Sequence, residues 1–372
     1  MPAAGPVGES GGSGMGAVNV RPEVLALPAY RFQAQEATVK LDQNESAEDL
    51  PAPLRRAALA RLEAAEWHRY PALHADALAA RLGLRHGWPA DGVVVAGGSN
   101  VLIQALVVLS GLGRSVLTLT PSFSLYELQA RLFGAELREL PLGPEHAFPA
   151  QAVRREVAEG SGVAFLPAPL APTGNAVAVH DLRGVAEAAA PGWTLVVDEA
   201  YAEFAGADHA ELARDFPHVV RLRTLSKAFG LAGARVGYTL AHPDLAVELR
   251  KVLLPFSVSA LQLAVADAAL DAPECVEERV RRTVTERERL AAALRARGVP
   301  FVPSVTNFLL LRVPDAAATY RGLLDQGVLV RRQDHLPGLV GALRVSVGRP
   351  QENDAFLRAW DALPQGNGVT HG

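Results

Sequence analysis

The stretch Thr224-Leu-Ser-Lys-Ala-Phe-Gly-Leu-Ala-Gly-Ala-Arg-Val-Gly-Tyr238 indicates both the fold of the chain and the place of its chemistry. It follows Val219–Arg223, a short β-branched run that predicts a strand, and Lys227 comes directly after that strand. Open sheets of α/β proteins bind ligands at the carboxyl ends of their strands. We therefore expect Lys227 to lie at a ligand-binding edge of a sheet.

The residues around Lys227 have the groups that imine chemistry and phosphate binding need. A lysine in a desolvated, electropositive pocket can be neutral and nucleophilic. Hydroxyl groups and a fixed cation bind phosphate, and Thr224, Ser226 and Arg235 can supply them. A surface lysine at a strand end is the alternative interpretation, so this stretch alone does not decide the function.

A second stretch, Thr194-Leu-Val-Val-Asp-Glu-Ala-Tyr201, places an acid at the end of an apolar strand. A buried carboxylate must be paired or solvated, because an isolated buried charge is very costly. A protonated pyridine nitrogen would be a suitable partner for Asp198, and the ring could then act as an electron sink. Tyr201 could donate to a phenolic oxygen of the same ring. A helix cap is the alternative role for Asp198.

Between about residues 93 and 240, short β-branched runs alternate with helical stretches, which predicts an α/β fold with a mostly parallel sheet covered on both faces. The predicted strands are Val93–Ala96, Val116–Thr120, Val163–Leu166, Thr194–Asp198, Val219–Arg223 and Val236–Leu240. The predicted helices are Val101–Leu109, Leu125–Phe133, Val179–Ala189 and the stretch after Lys227. Helical sequence then continues to Arg297, and a smaller α+β domain is predicted from the strand-like runs Phe301–Val313, Val328–Arg331 and Leu343–Val347.

The chain of 372 residues is long enough for two domains. We predict a large domain over residues 59–265 and a small domain built from residues 28–58 and 266–364. Residues 1–17 are rich in Gly, Ser and Pro, and we predict a disordered tail over residues 1–27.

Composition excludes several classes of function. The net charge of −4 gives no reason to expect nucleic acid or an anionic membrane surface as partner. No apolar run reaches the roughly 18–20 residues that span a bilayer. The single cysteine, Cys275, allows no intramolecular disulfide and favours the cytosol. The histidines lack the spacing of metal ligands, so no metal is expected, and no Gly-x-Ser-x-Gly elbow follows a strand.

The two stretches together resemble fold type I pyridoxal-phosphate aminotransferases, and most closely the histidinol-phosphate aminotransferase family. The shared motifs are Asp-Glu-Ala-Tyr at residues 198–201 and Thr-Leu-Ser-Lys-Ala-Phe-Gly-Leu-Ala-Gly-x-Arg-Val-Gly-Tyr at residues 224–238. The similarity extends from about Leu27 to Trp360. It implies a large domain with a mostly parallel seven-stranded sheet, a smaller α+β domain, and pyridoxal 5'-phosphate bound to Lys227 as a Schiff base.

The resemblance also assigns further cofactor-binding residues. Gly97-Gly-Ser-Asn100 matches the phosphate loop at the start of a helix, which makes Ser99 and Asn100 candidates for phosphate binding. In Thr120-Pro-Ser-Phe-Ser-Leu-Tyr126, Phe123 would stack on the pyridine ring and Tyr126 would line the substrate pocket. Tyr70, in Arg69-Tyr-Pro71, matches a tyrosine that reaches the cofactor phosphate of the partner subunit. A homodimer with a shared active site follows from that match, and a surface turn is the alternative.

The substrate-binding residues that the resemblance implies come from both ends of the chain. Arg344, in Leu343-Arg-Val-Ser-Val-Gly348, would bind a carboxylate or an equivalent polar group of the substrate in a bidentate pair. Arg331, thirteen residues earlier, matches an arginine that meets the substrate phosphate. Tyr30 and Asn44 match the N-terminal segment that contacts the substrate.

One motif departs from the family pattern. The family has Asn-Pro-Asn-Asn-Pro-Thr-Gly where this chain has Ala168-Pro-Leu-Ala-Pro-Thr-Gly174. The asparagine that hydrogen-bonds the phenolic oxygen of the cofactor is therefore Ala171. That oxygen would depend on Tyr201 alone, on a water, or on Asn175 if the loop is shifted. Losing a hydrogen bond to a charged group costs about 1.5–3 kcal/mol, so we expect turnover to be reduced or altered. We expect cofactor binding to survive, because Lys227, Asp198 and Arg235 would still hold the cofactor.

The resemblance implies transamination in two half-reactions, in which Lys227 acts as general base and then as general acid. Histidinol phosphate is the expected amino donor and a 2-oxo acid, 2-oxoglutarate, the expected acceptor, as in histidine biosynthesis. A threonine-phosphate decarboxylase and an aromatic or other amino-acid aminotransferase are alternatives within the same fold. A weakened paralogue that binds the cofactor without catalysis is the alternative from another class.

Overall fold

The computed structural model describes residues 19–28 and 35–364. Its strands are β1 (Val39–Lys40), β2 (Val93–Ala96), β3 (Ser115–Thr120), β4 (Glu136–Pro141), β5 (Ser161–Pro167), β6 (Gly192–Asp198), β7 (Val219–Thr224), β8 (Gly237–Leu240), β9 (Phe301–Val302), β10 (Phe308–Arg312), β11 (Val328–Leu329), β12 (Arg331–Arg332) and β13 (Ala342–Ser346). Its α-helices are α1 (Pro22–Leu25), α2 (Ala52–Glu63), α3 (Asp76–His86), α4 (Ser99–Leu106), α5 (Leu125–Phe133), α6 (Ala150–Val157), α7 (Val179–Ala188), α8 (Ala202–Ala205), α9 (Ala210–Asp215), α10 (Pro243–Val252), α11 (Ala260–Leu270), α12 (Pro273–Ala296), α13 (Ala316–Asp325) and α14 (Pro350–Asp361).

Seven strands form the large sheet, in the order β2-β8-β7-β6-β5-β3-β4. All neighbouring pairs are parallel except those that β8 makes with β2 and β7. The predicted mostly parallel sheet and all six predicted strands are confirmed. The seventh strand, β4, was not predicted, because its sequence Glu-Leu-Arg-Glu-Leu-Pro is polar and its side chains are largely exposed at the sheet edge.

Helices cover both faces of this sheet. Along β2, Val93 and Val95 belong to one apolar core and Val94 and Ala96 to the other, as the alternation of side chains in a strand requires. The first core includes residues of α3, α6 and α7, and the second includes residues of α4, α5 and α10. Burial on both faces explains why these strands are continuous apolar runs.

A smaller four-stranded sheet, in the order β12-β13-β10-β9, is antiparallel and packs with α12, α13 and α14. Strand β1 pairs in parallel with β11, and Leu41, which follows it, lies in the core of this smaller unit. The proposed boundaries of the two domains, at residues 58/59 and 265/266, remain a proposal. Of the predicted tail, residues 1–18 lie outside the described residues, and Pro22–Leu25 form the short helix α1.

Three local predictions were wrong. Phe301–Val313 is not one strand, since Pro303 follows β9 and proline cannot continue a sheet ladder. Val328–Arg331 is two strands that are separated at Val330. Strand β11 pairs with β1, and strand β12 pairs with β13. The stretch after Lys227 forms a 3₁₀ turn at Ala232–Ala234 and no α-helix, with Arg235 at a φ of 54°.

No helix of the described residues combines the length and the apolar character that crossing a bilayer requires.

A buried ionic cluster joins the carboxyl ends of β6 and β7. The Glu199 carboxylate, fully buried, accepts hydrogen bonds from Arg221 Nε at 3.0 Å, Arg223 Nη1 at 2.8 Å and His209 Nδ1 at 2.7 Å. Burial alone would raise the pKa of Glu199. Arg223, the His209 hydrogen bond and Arg221 outweigh it and hold that pKa well below its ordinary value. The cluster therefore fixes the chain directly after Asp198.

We expect Glu199→Gln to lower the free energy of unfolding by ~3–5 kcal/mol at neutral pH, because Arg221 and Arg223 lose the fully buried carboxylate that they share. Each guanidinium keeps one more exposed carboxylate as a partner in the described structure. Since the folded-state pKa of Glu199 is depressed, its contribution is present above the unfolded pKa of about 4.3 and is lost as the pH falls below it. The difference in the free energy of unfolding between the wild type and Glu199→Gln should therefore become smaller in acid.

Chemical denaturation at several pH values would measure this difference. Glu136→Gln is the matched control, because Glu136 pairs with Arg138 at the surface, where 62% of its side chain is exposed, and its removal should leave the midpoint nearly unchanged. Equal midpoints for wild type and Glu199→Gln at pH 7 would contradict the prediction.

Candidate active site

A cavity of about 380 Å³ opens where the strands of the large sheet end and the smaller sheet approaches them. It brings together most of the residues predicted from the sequence, which are Asn44, Ser99, Asn100, Phe123, Tyr126, Asp198, Tyr201, Thr224, Ser226, Lys227, Arg235, Arg331 and Arg344. They come from segments up to 300 positions apart in the chain, so the fold alone assembles them.

Lys227 lies just after β7 and faces this cavity. Its Nζ donates to the backbone oxygen of Gln43 at 3.1 Å and lies 5.8 Å from the centre of the Tyr201 ring. In the described part of the chain, Lys40 and Lys251 form salt bridges with glutamates, whereas Lys227 forms none with a carboxylate. The amine is therefore placed to react with a bound carbonyl group.

Asp198 ends β6 and is buried, with 8% of its surface exposed. Its carboxylate accepts from Tyr126 Oη at 2.6 Å and from the Ala200 N–H at 3.0 Å. Burial raises the pKa of Asp198, and these two hydrogen bonds partly oppose that rise. Helix α8 begins after Tyr201, so Asp198 does not cap it. A buried acid with neutral donors is a natural partner for a cationic ring nitrogen.

Tyr126 lies deeper than predicted. Only 1% of its surface is exposed, its ring stacks on Phe165 with centroids 4.6 Å apart, and its hydroxyl is committed to Asp198. It forms the floor of the cavity beneath Asp198 and meets Phe123 edge-on at 5.6 Å. Phe123, 43% exposed, has a ring that is available to a ligand.

One corner of the cavity has the donors for a phosphate. Helix α4 begins at Ser99 after Gly98, so its free N–H groups point into this corner. A Cβ on Gly98 would lie 2.7 Å from Arg235 Nη2, which leaves room only for glycine at its φ of 98°. Arg235 Nη1 lies 3.4 Å from Ser226 Oγ, and Thr224 Oγ1 lies 3.0 Å from the same oxygen. The bare backbone, hydroxyls and guanidinium together fit an anion.

The opposite wall carries two arginines. Arg344 Nη2 donates to the backbone oxygen of Asp42 at 2.8 Å, and its guanidinium lies 5.5 Å from the centre of the Phe308 ring. Its buried Nε makes no hydrogen bond within the described residues, so it retains a donor for a ligand. Arg331 lines the same cavity. Two cations in one cavity suit a substrate with anionic groups.

The loop with Ala171 lines the cavity, but Asn175 does not replace the missing asparagine. Asn175 Nδ2 donates to the backbone oxygen of Glu145 at 3.2 Å, outside the cavity. Asn44 Nδ2 instead donates to the hydroxyl of Tyr201 at 3.0 Å. Asn44, expected to contact substrate, therefore touches the tyrosine that lies beside Lys227.

One predicted residue, Tyr70, does not line this cavity. Tyr70 is 82% exposed and stacks on Phe256, with ring centroids 4.9 Å apart. Tyr30 lies outside the described residues.

The cavity also contains residues that the sequence did not reveal, among them Gln43, Ser122, Gln333 and His335. Gln333 follows Arg331 by two positions, and residues two apart in an extended segment share a face, so its place could have been predicted. Gln43 acts through its backbone oxygen, for which no side-chain signal exists.

Comparisons with known proteins agree with this geometry. A family model described as aminotransferase class I and II matches residues 36–359. The histidinol-phosphate aminotransferase of Deinococcus radiodurans is 46% identical over 351 residues, covering 94% of this chain and 97% of that protein. The aromatic amino acid aminotransferase of Mycobacteroides abscessus is 36% identical, covering 92% and 99%. The solved histidinol-phosphate aminotransferase of Sinorhizobium meliloti, in complex with pyridoxal-5'-phosphate, has a TM-score of 0.82 at 24% identity, covering 92% and 96%, which supports the fold.

Proposed function

Because the chain belongs to the class I and II aminotransferase family, we propose that it transfers the amino group of histidinol phosphate to 2-oxoglutarate with pyridoxal phosphate as cofactor. One observation carries this proposal. A single cavity contains an accessible amine at Lys227, a buried acid at Asp198 and an anion-binding corner around Arg235.

The cavity residues fit the cofactor at each of its functional groups. The phosphate would be held by Arg235, Ser226 and the start of α4. Asp198 would pair with the ring nitrogen, since it is buried and its hydrogen-bond donors in the described structure are both neutral. Phe123 would cover a face of the ring, and Tyr201 would donate to its phenolic oxygen.

Bound pyridoxal phosphate supplies an electron sink for the charge left when a proton leaves the substrate carbon. Lys227 Nζ takes that proton and later returns it, and so acts first as general base and then as general acid. Asp198 would keep the ring nitrogen of the bound cofactor protonated. Water would supply the oxygen of the carbonyl product that the donor becomes. The amino group, carried by the bound cofactor, would pass to the 2-oxo acid in the second half-reaction with release of water.

The two arginines support a substrate with an anionic group. Arg331 would bind the phosphate of histidinol phosphate, with Gln333 and His335 beside it, and Arg344 would bind the carboxylate of the 2-oxo acid. The identity to an aromatic amino acid aminotransferase favours an amino acid as the second candidate donor. A threonine-phosphate decarboxylase and a weakened cofactor-binding paralogue remain less favoured alternatives.

We also propose that the working enzyme is a homodimer in the cytosol. Around Tyr70 the surface exposes large apolar side chains, with Trp67 at 75% and Leu254 at 78%. A second copy of the chain would cover them and receive the Tyr70 hydroxyl at its cofactor phosphate. The unpaired Cys275 favours a reducing compartment.

We expect Lys227→Ala to lower transamination by at least ~10⁴-fold, because the covalent anchor and the proton carrier are lost together. The chain has three lysines, so borohydride reduction of the protein with its cofactor, followed by peptide mass mapping, can assign the anchor directly. Lys251→Ala is the matched control, since Lys251 pairs with Glu248 on the surface of α10. A label on Lys40 or Lys251 would reject the proposal.

We expect Arg331→Ala to raise the KM for histidinol phosphate by about 10–100-fold, the effect of losing one charge-assisted hydrogen bond. The KM for phenylalanine should change little. Arg332→Ala is the control next to it, because the Arg332 guanidinium is paired with Asp334 at 2.7 Å. Steady-state kinetics with both donors measures the effect. Equal losses for both donors, or better turnover of phenylalanine by the wild type, would favour the amino-acid aminotransferase.

Hybrid enzymes test the shared site. Tyr70→Phe keeps the ring on Phe256 and should weaken cofactor binding by about tenfold. When it is refolded together with Lys227→Ala, each hybrid dimer has one site with both lesions and one site with neither. We therefore expect the mixture to exceed the summed activity of the two variants when pyridoxal phosphate is limiting, because only the intact hybrid site then keeps its cofactor. A monomer in analytical ultracentrifugation, or a mixture with no gain, would contradict the proposal.

A further inference from the structure

We propose that Ser346 and Asn44 form a hydrogen-bond relay that turns the hydroxyl proton of Tyr201 into the cavity. This inference rests on the proposed function, because the acceptor of that proton is the phenolic oxygen of the cofactor. Ser346 touches no ligand in this arrangement. It is a positioning residue that acts through Asn44.

The relay consists of three hydrogen bonds. The backbone N–H of Asn44 donates to Ser346 Oγ at 2.8 Å, and the Ser346 hydroxyl donates to Asn44 Oδ1 at 3.1 Å. Asn44 Nδ2 then donates to the hydroxyl of Tyr201 at 3.0 Å. Asn44 and Ser346 are buried, with 1% and 4% of their surfaces exposed, so water does not compete for the two bonds between them.

The backbone around Asn44 holds the relay in place. Asn44 has a φ of 53°, in the left-handed region that asparagine tolerates better than most residues. Its carbonyl oxygen accepts from Asn307 Nδ2 at 3.1 Å. Ser346 ends β13 two positions after Arg344, on the same face of the strand. The smaller unit thus contacts Tyr201, beside Lys227, through the side chain of Asn44.

The orientation of the amide follows from the serine hydrogen. If the amide were flipped, Nδ2 would donate to Ser346 Oγ, and Oδ1 would accept the proton of Tyr201. The Ser346 hydrogen would then lose Asn44 Oδ1, the acceptor that it has in the described structure. An unsatisfied buried donor costs about 1–3 kcal/mol. The observed arrangement avoids this cost. Because Nδ2 can only donate, Tyr201 must direct its own proton elsewhere, toward the cavity.

The relay compensates for the alanine at position 171. In this chain the phenolic oxygen has lost the donor that an asparagine at 171 would provide, and Asn175 faces Glu145. One remaining donor is useful only if its proton points the right way. A hydroxyl rotates freely unless its partners restrict it, and Asn44 restricts Tyr201.

The test is the pH dependence of the visible absorbance of the protein loaded with pyridoxal phosphate. A proton donated by Tyr201 stabilises negative charge on the phenolic oxygen. Without it, the oxygen holds the proton on the Lys227 nitrogen more tightly, and the midpoint of the titration rises. We expect Ser346→Ala to raise the midpoint by about one pH unit, a tenfold change in the proton affinity. Ser346→Thr, which keeps the hydroxyl, should restore the wild-type midpoint.

Three further tests separate the orientation of the Tyr201 proton from general loosening of the fold. Ser110→Ala removes an equally buried hydroxyl, bonded to Thr194 at 2.8 Å outside the cavity, and should leave the midpoint unchanged. Asn44→Gly, whose backbone accepts the positive φ, should shift the midpoint in the same direction as Ser346→Ala. In a Tyr201→Phe background, Ser346→Ala should add nothing, because the proton that it orients is absent.

An unchanged midpoint in both Ser346→Ala and Asn44→Gly would overturn the relay, as would a full additional shift in the Tyr201→Phe background. If the wild type develops no visible band with pyridoxal phosphate, the proposed function fails and the relay fails with it. If the wild type has the band and transaminates while the midpoints stay equal, the relay alone is wrong.

Discussion

The site depends on how the chain accommodates two adjacent buried acids at the end of β6. Asp198 and Glu199 face opposite directions along the extended backbone. Glu199 is neutralised by Arg221, Arg223 and His209. Within the described residues, Asp198 accepts hydrogen bonds only from the hydroxyl of Tyr126 and the backbone N–H of Ala200. The charge of Glu199 is thus balanced within the protein, while Asp198 can still pair with a cationic ligand. Asp198 is therefore the acid that can attract a cationic group of a ligand into the cavity.

The remaining contacts of the cavity are arranged around that acid by the large sheet. Strands β6 and β7 are neighbours in parallel register, so the residues that follow them meet at one edge. Helix α4 starts at the same edge, and Gly98 lets it approach Arg235 closely. The smaller unit closes the other side with Arg344, Ser346 and Asn44. Residues separated by hundreds of positions are thus held by backbone pairing and a few buried side-chain bonds.

Much of this arrangement could be predicted from the sequence. Apolar runs followed by Asp198 and Lys227 identify the strands and their functional ends, because the pattern is local. Strand β4 was missed since an exposed edge strand has no apolar signature. The commitment of Tyr126 to Asp198 and the contact of Lys227 with the backbone of Gln43 were also missed. Both join segments far apart in sequence, and no spacing rule within one segment predicts them. The Ser346 bond to Asn44 spans 302 positions and is hidden for the same reason.

The scarcity of lysine has a chemical consequence beyond the active site. Lysine and arginine together number 36, but only Lys40, Lys227 and Lys251 carry a primary side-chain amine. Lys40 and Lys251 lie near glutamates on the surface, whereas Lys227 faces the cavity. Guanidinium groups remain protonated at any physiological pH and so are poor nucleophiles. Because arginine carries nearly all the positive charge of the surface, an aldehyde meets few competing amines there. The scarcity of surface lysine therefore favours reaction of a carbonyl compound with Lys227, in addition to the shape of the cavity.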